Sequence, residues 1–176
     1  MLLFLLACAK NPTPTAPTPE PAAAPADGLA PRLFDAAALR DGFVLGTKLR
    51  MRIEAAGAPV IEEEWTVVGH TPDGCTIRTV SRDTEGTVLK EEEGTSTWAE
   101  LEEHASFPAA DTLVSDDQTT TPAGTFETRR YVVKDPDGTT RVMHFAKSFP
   151  GPPVRMEITK NGALVLSMTM LARTAP

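Results

Sequence analysis

The sequence is short of most residues that carry chemistry. Two cysteines, Cys8 and Cys75, stand among 176 residues, too few for the disulfide framework that staples small secreted domains. The three histidines, His70, His104 and His144, lie far apart with no His or Cys at ligand spacing, so no zinc motif is present and no metal or other cofactor is expected. There is no glycine-rich phosphate loop and no G-x-S-x-G nucleophile elbow. Lys and Arg number 17 against 24 Asp and Glu, a net charge of −7, which excludes the clustered positive charge that nucleic-acid binding needs. The opening apolar run, Leu2 to Ala7, falls well short of the roughly 20 residues that span a bilayer. Aromatics make up only 6%, with one Tyr and two Trp, so a core has to be filled by aliphatic side chains and Met.

What remains is an ordinary globular composition, 41% hydrophobic and 23% charged, enough for one folded domain. Of the 16 prolines, seven fall between Pro12 and Pro31. A tract this rich in Pro, Thr and Ala favours extended polyproline II and buries no core, and at about 3.1 Å per residue it holds a domain up to about 70 Å from its anchor.

The apolar run ends Leu5-Leu6-Ala7-Cys8, which resembles the lipobox of bacterial lipoproteins. The resemblance implies that residues 1–7 are a signal peptide and that Cys8 is acylated as the mature first residue. Residues 8–31 then form a linker from the membrane, and 32–176 a single β-rich domain. Ala9, rather than Asp, after the cysteine implies an outer-membrane anchor. A buried N-terminal strand is the competing reading of Cys8, but such a strand leads straight into prolines that donate no ladder hydrogen bonds. With Cys8 acylated, Cys75 has no intramolecular partner and is either a reactive thiol or a small buried hydrophobe at a strand start.

From Phe43 the pattern alternates. Phe43, Leu45, Leu49, Met51 and Ile53 share one parity, and Lys48, Arg50, Arg52 and Glu54 the other, as in a strand with one wet face. With a loop at 55–59, Leu49 falls opposite Trp65 and Ile53 opposite Ile61, while Arg50 meets Glu64 and Arg52 meets Glu62; one register satisfies both faces. Glu63 lands on the apolar side, which predicts a place near a rim or opening. Turn signals at 71–74, 85–86, 135–138 and 161–162 separate further alternating runs. Together they predict a curved antiparallel meander of about eight or nine strands. At the last hairpin, Asn161-Gly162 favours a two-residue turn, yet burial favours pairing Ile158 with Leu166, Met156 with Met168 and Val154 with Met170, so a bulge or three-residue loop is predicted. Two short helices are expected. One starts at Asp35 and ends at Gly42; the other opens on the capping box Thr97-Trp98-Ala99-Glu100, with Trp98 and Leu101 against the sheet's concave side and Glu100, Glu102 and Glu103 in water.

The stretches "TPAGTFETRRYVV" (121–133) and "FPGPPVRMEI" (149–158) resemble a pattern of small secreted or lipidated bacterial proteins. The architecture it implies is similar to the half-barrel of lipoprotein carriers and acceptors of the LolA/LolB type.

Met143, Met156, Met168 and Met170 fall in the last three strands. Together with Trp65 and Trp98 they are the candidate lining of an apolar ligand site, because Met adapts to flexible ligands; the alternative is a Met-filled core. The carboxylate runs 62–64, 91–93, 102–103 and 116–117 read as solvated or edge-protecting, with weak calcium binding or an acidic docking patch as the alternative. The expectation is a non-enzymatic outer-membrane lipoprotein facing the periplasm or cell surface. Its expected partners are the membrane through acyl chains, an apolar small molecule or lipid, or an envelope protein, and not nucleic acid. Mass spectrometry of the mature chain from its own cell should find an acylated Cys8 at the N-terminus; an unmodified Met1 would overturn the lipobox assignment.

Overall fold

A computed structural model of the chain describes residues 28–176; Cys8 and most of the expected linker lie outside them. The elements run α1 (Ala36–Gly42), β1 (Lys48–Ala55), β2 (Ile61–His70), β3 (Gly74–Arg82), β4 (Val88–Thr97), α2 (Trp98–His104), β5 (Thr112–Thr121), β6 (Gly124–Lys134), β7 (Thr139–Ala146), β8 (Arg155–Lys160) and β9 (Ala163–Thr174). A single 3-10 turn, Ala109–Asp111, precedes β5.

Both helices begin where capping chemistry places them. Asp35 accepts from the Ala38 amide at 2.8 Å. Thr97 and Glu100 exchange the reciprocal bonds of a capping box, satisfying amides that have no partner within the helix. Gly42 closes α1 for a packing reason, since a Cβ there would lie 2.1 Å from Pro150 Cγ. The wet face expected of α2 needs one correction. Glu102 is turned toward the first helix, where it pairs with Arg32 and accepts from the Ala36 amide at 3.0 Å.

The nine strands form one antiparallel sheet in the order β4-β3-β2-β1-β9-β8-β7-β6-β5. The chain winds outward from β1 to one edge, crosses by α2 to the opposite edge, and winds back until β9 pairs with β1. The sheet stays open, because β4 and β5 are its two edges and α2 is the connection between them. The expected register of the first hairpin holds throughout: Leu49 faces Trp65, Arg50 faces Glu64, Arg52 faces Glu62 and Ile53 faces Ile61. Its ion pairs nonetheless form one step away, Lys48 with Glu64 at 3.8 Å and Arg50 with Glu62 at 3.7 Å; at such exposed positions each is worth under about 1 kcal/mol. Strand β1 starts later than the alternation suggests, since Phe43 caps α1 and the chain turns before Lys48. The triplet Glu62-Glu63-Glu64 lies on β2, an interior strand, so it protects no edge; Glu91-Glu92-Glu93 on β4 and Asp116-Asp117 on β5 do lie on edges.

Curvature comes from bulges. Register shifts interrupt the β1/β9, β2/β3, β3/β4 and β8/β9 ladders, and each extra residue bends its strand and raises the local twist. The β8/β9 case resolves the conflict at the last hairpin. Asn161 (φ +50°) and Gly162 (φ +82°) keep the two-residue turn and pair Lys160 with Ala163. A bulge at Val165 then moves Leu166 opposite Ile158 and Met168 opposite Met156, so turn chemistry and burial are both served.

The interior is divided into three clusters. One centres on Met51, Val154 and Met170, each fully enclosed, with Leu49 and Met168. A second joins Leu39 and Phe43 of the first helical region to Val67, Cys75 and Trp98. The third gathers Phe107, Tyr131, Val133 and Met143. Cys75 belongs to the second, 1% exposed, and burial pushes its thiol above the ordinary range; this is the buried-hydrophobe reading of that residue.

At the β6–β7 turn Asp137 accepts from the Thr139 amide at 2.9 Å and from Lys160 Nζ at 2.5 Å. The Lys160 bond is the main cause that lowers its pKa to about 2. A carboxyl whose pKa is depressed on folding stabilises the fold above its unfolded pKa and loses that contribution as pH falls through the folded value. Asp137→Asn should therefore lower the urea midpoint near neutral pH, and the difference from the parent should vanish as pH drops from about 4 toward 2. A pH-independent difference would remove this assignment.

Candidate functional site

The first and third clusters are bridged by half-buried Met156, and the second stands apart from them. Where they approach one another, between the concave face of the sheet and the two helices, lies a cavity of about 190 Å³. Phe34, Leu39 and Phe43 line it from the α1 side, Trp65 and Ile77 from β2 and β3, and Leu101 and Ala105 from α2 and its end. Tyr131 and Phe145 of β6 and β7 close the far wall, packed edge to face with centroids 5.7 Å apart. His104 stands at the exposed rim. The walls are almost wholly apolar, which is the usual character of a small-molecule pocket.

The site is built by geometry that no single segment encodes. The capping box fixes where α2 starts, and the Trp98 indole donates to the Thr71 carbonyl at 3.2 Å, so Leu101, one turn on, faces the sheet. Trp98 also packs against Phe43 at 6.2 Å and His70 at 5.1 Å. On β2, the Trp65 indole donates to Glu63 Oε2 at 3.1 Å, and Ser81 Oγ donates to the other carboxylate oxygen at 3.2 Å. Glu63 thus sits on the concave side with each carboxylate oxygen accepting one hydrogen bond, holding Trp65 in the cavity wall.

Of the six side chains singled out in the sequence, Trp65 lines this cavity. Trp98 packs behind it as the pillar of the second cluster. Met168 and Met170 lie in the first cluster and Met143 in the third, all buried, while half-buried Met156 packs against both. The aromatic wall of Tyr131 and Phe145, and Phe34 before α1, were not singled out. Their signal was present but weak: Tyr131 and Phe145 fall on the inward parity of strands that pair Tyr131 with Met143 and Arg129 with Phe145. Among the described residues no three His, Cys, Asp or Glu side chains gather as a metal-binding set, and no helix is long and apolar enough to cross a membrane.

These features define a class: an open, nine-stranded antiparallel half-barrel whose concave face is covered by two short helices with an apolar cavity beneath them. No family model and no curated protein matches the chain. Among solved structures it is similar to MucB in complex with MucA(peri), with a TM-score of 0.55, and to MucB alone, with 0.54, both at 11% identity over 80% of this chain. That likeness is one of fold, and the chain spans only 55% and 58% of the two MucB chains.

Core and cavity residues should separate in experiment. Met170→Ala should cost about 2–5 kcal/mol in urea unfolding, whereas Phe145→Ala, which opens a wall already bordering empty space, should cost less and enlarge the cavity. Equal losses would mean that the cavity is closed in solution.

Proposed function

We propose that this protein is a non-enzymatic binding protein of the bacterial cell envelope. Acyl chains on Cys8 anchor it to the outer membrane, the linker holds it off, and the cavity takes one apolar chain, such as an acyl chain, in the periplasm or at the cell surface. The cavity is the observation that carries this reading. Its lining supplies dispersion contacts and burial worth about 25 cal/mol per Å² from at least six separate elements. Tyr131 and His104 are the titratable side chains of the lining; the Tyr131 hydroxyl is already bonded to the Pro31 carbonyl, which supports retention rather than acid–base chemistry.

The size of the cavity favours part of a chain over a whole diacyl lipid, with the remainder leaving past His104. A fluorescent fatty acid, 11-(dansylamino)undecanoic acid, should bind saturably to the protein. Ala105→Trp, which fills the space from the end of α2, should abolish binding without lowering the melting temperature by more than a few degrees. No saturable binding by the parent protein would sink the proposal.

A second reading has its own support. The outer strand β4 exposes Val88 and Leu89 next to Glu91-Glu92-Glu93 along an unpaired edge, and a protein of this fold, MucB, was solved in complex with MucA(peri). On this reading the chain is an envelope scaffold that holds a protein partner at a sheet edge or acidic face. Cross-linking in the envelope that recovers one dominant protein, lost on substituting Leu89 by Lys, would favour it.

A further inference from the structure

The stretch expected as the end of the linker is built into the folded body. Leu29 bridges to Pro108, the Ala30 amide donates to the Phe107 carbonyl at 2.8 Å, and the Ala109 amide donates to the Gly28 carbonyl at 2.9 Å. Ala30 is 3% exposed. The Tyr131 hydroxyl donates to the Pro31 carbonyl at 2.8 Å. Beyond these, Arg32 pairs with Glu102, which also receives the Ala36 amide. The strap from Gly28 to Asp35 then contributes Leu33 and Phe34 to the wall of the cavity.

Besides the Phe107–Ala109 segment, two body elements grip the strap, and both are walls of the same cavity. Tyr131 presents its ring to the cavity and its hydroxyl to the strap. Helix α2 presents Leu101 to the cavity and Glu102, the next residue, to Arg32 of the strap. From this double use we infer that the strap couples occupancy of the cavity to the docking of the N-terminal tether. The inference rests on the cavity binding an apolar chain. A chain in the cavity touches Leu33 and Phe34 only when the strap is docked, so it binds the docked state better and holds the strap down. By reciprocity, lifting the strap removes a wall and releases the chain. Undocking residues 28–35 adds up to about 25 Å of extended chain at about 3.1 Å per residue. The strap lifts more often in the empty protein, which on average therefore reaches further from its anchor than a loaded one.

Hydrogen exchange of the full chain, with and without saturating 11-(dansylamino)undecanoic acid, tests the coupling. In the parent protein the probe should slow exchange of the Ala30 amide, while amides at the tip of the β3–β4 hairpin stay unchanged. Tyr131→Phe keeps the cavity ring and loses the latch. It should speed exchange at Ala30 without the probe and weaken probe binding by up to about five- to tenfold, the limit set by the loss of one hydrogen bond. A Leu29→Cys, Pro108→Cys pair introduced into Tyr131→Phe, with Cys8→Ser to leave no competing accessible thiol, should restore affinity when oxidised and lose it again on reduction. Saturable binding with unchanged exchange at Ala30, or unchanged affinity in Tyr131→Phe despite a loosened strap, would overturn the coupling and leave the cavity reading standing. Absence of saturable binding in the parent would overturn both.

Discussion

The pairing of β1 with β9 is the seam on which the structure depends. It joins Met51 to Met170 and Ile53 to Met168 across more than a hundred residues of chain, and Met51 and Met170 are wholly removed from solvent. Without it there are two separate meanders, β1 to β4 and β5 to β9, each with an extra open edge and half a core. With it there is one concave surface, and the strands that wall the cavity keep fixed distances from one another. The bulge within this seam, between Arg50 and Met51, bends the sheet where the two halves meet.

Curvature then determines the division of the interior. A flat nine-stranded sheet would pack the helices over one continuous apolar layer. This one curls, so the first cluster fills the trough, the helices cap a second cluster near β2 and β3, and Phe107 and Tyr131, 5.4 Å apart, anchor a third on the opposite side. Two short helices of seven residues each cannot cover all three, and the cavity is the space left over. A chain with one Tyr and two Trp spends the Tyr and one Trp on lining that space, and uses the other Trp to hold the helix above it.

Local rules read the backbone well. The first hairpin, both helix caps, the turn positions and the Met-centred register of the last hairpin were all legible, because each is fixed by neighbours within about 20 residues. The sequence also showed that Glu63 sat on the wrong parity, and the structure explains it by bonds to Trp65 and Ser81. The cavity was not legible in the same way. Its residues come from the strap, α1, β2, β3, α2, β6 and β7, and whether an inward side chain meets a partner or empty space depends on curvature set by bulges far from it. Met143, Met168 and Met170 are inward yet enclosed by packing; Phe145 is inward and borders the void. Proline composition likewise marked the tract up to Pro31 as linker, whereas its last four residues are docked through backbone bonds that composition does not register.

The seam also imposes an order in time. Strand β9 is the last of the nine to be synthesised, and until it emerges β1 has only β2 beside it and the first cluster lacks Met168 and Met170. The contacts that close the core span most of the chain, and long-range pairings of this kind are slow to form. A partly emerged chain has β1 unpaired on one side and no closed half-barrel. The same long-range pairing that makes the finished fold one body leaves the unfinished one without its first cluster, so that the core waits for β9.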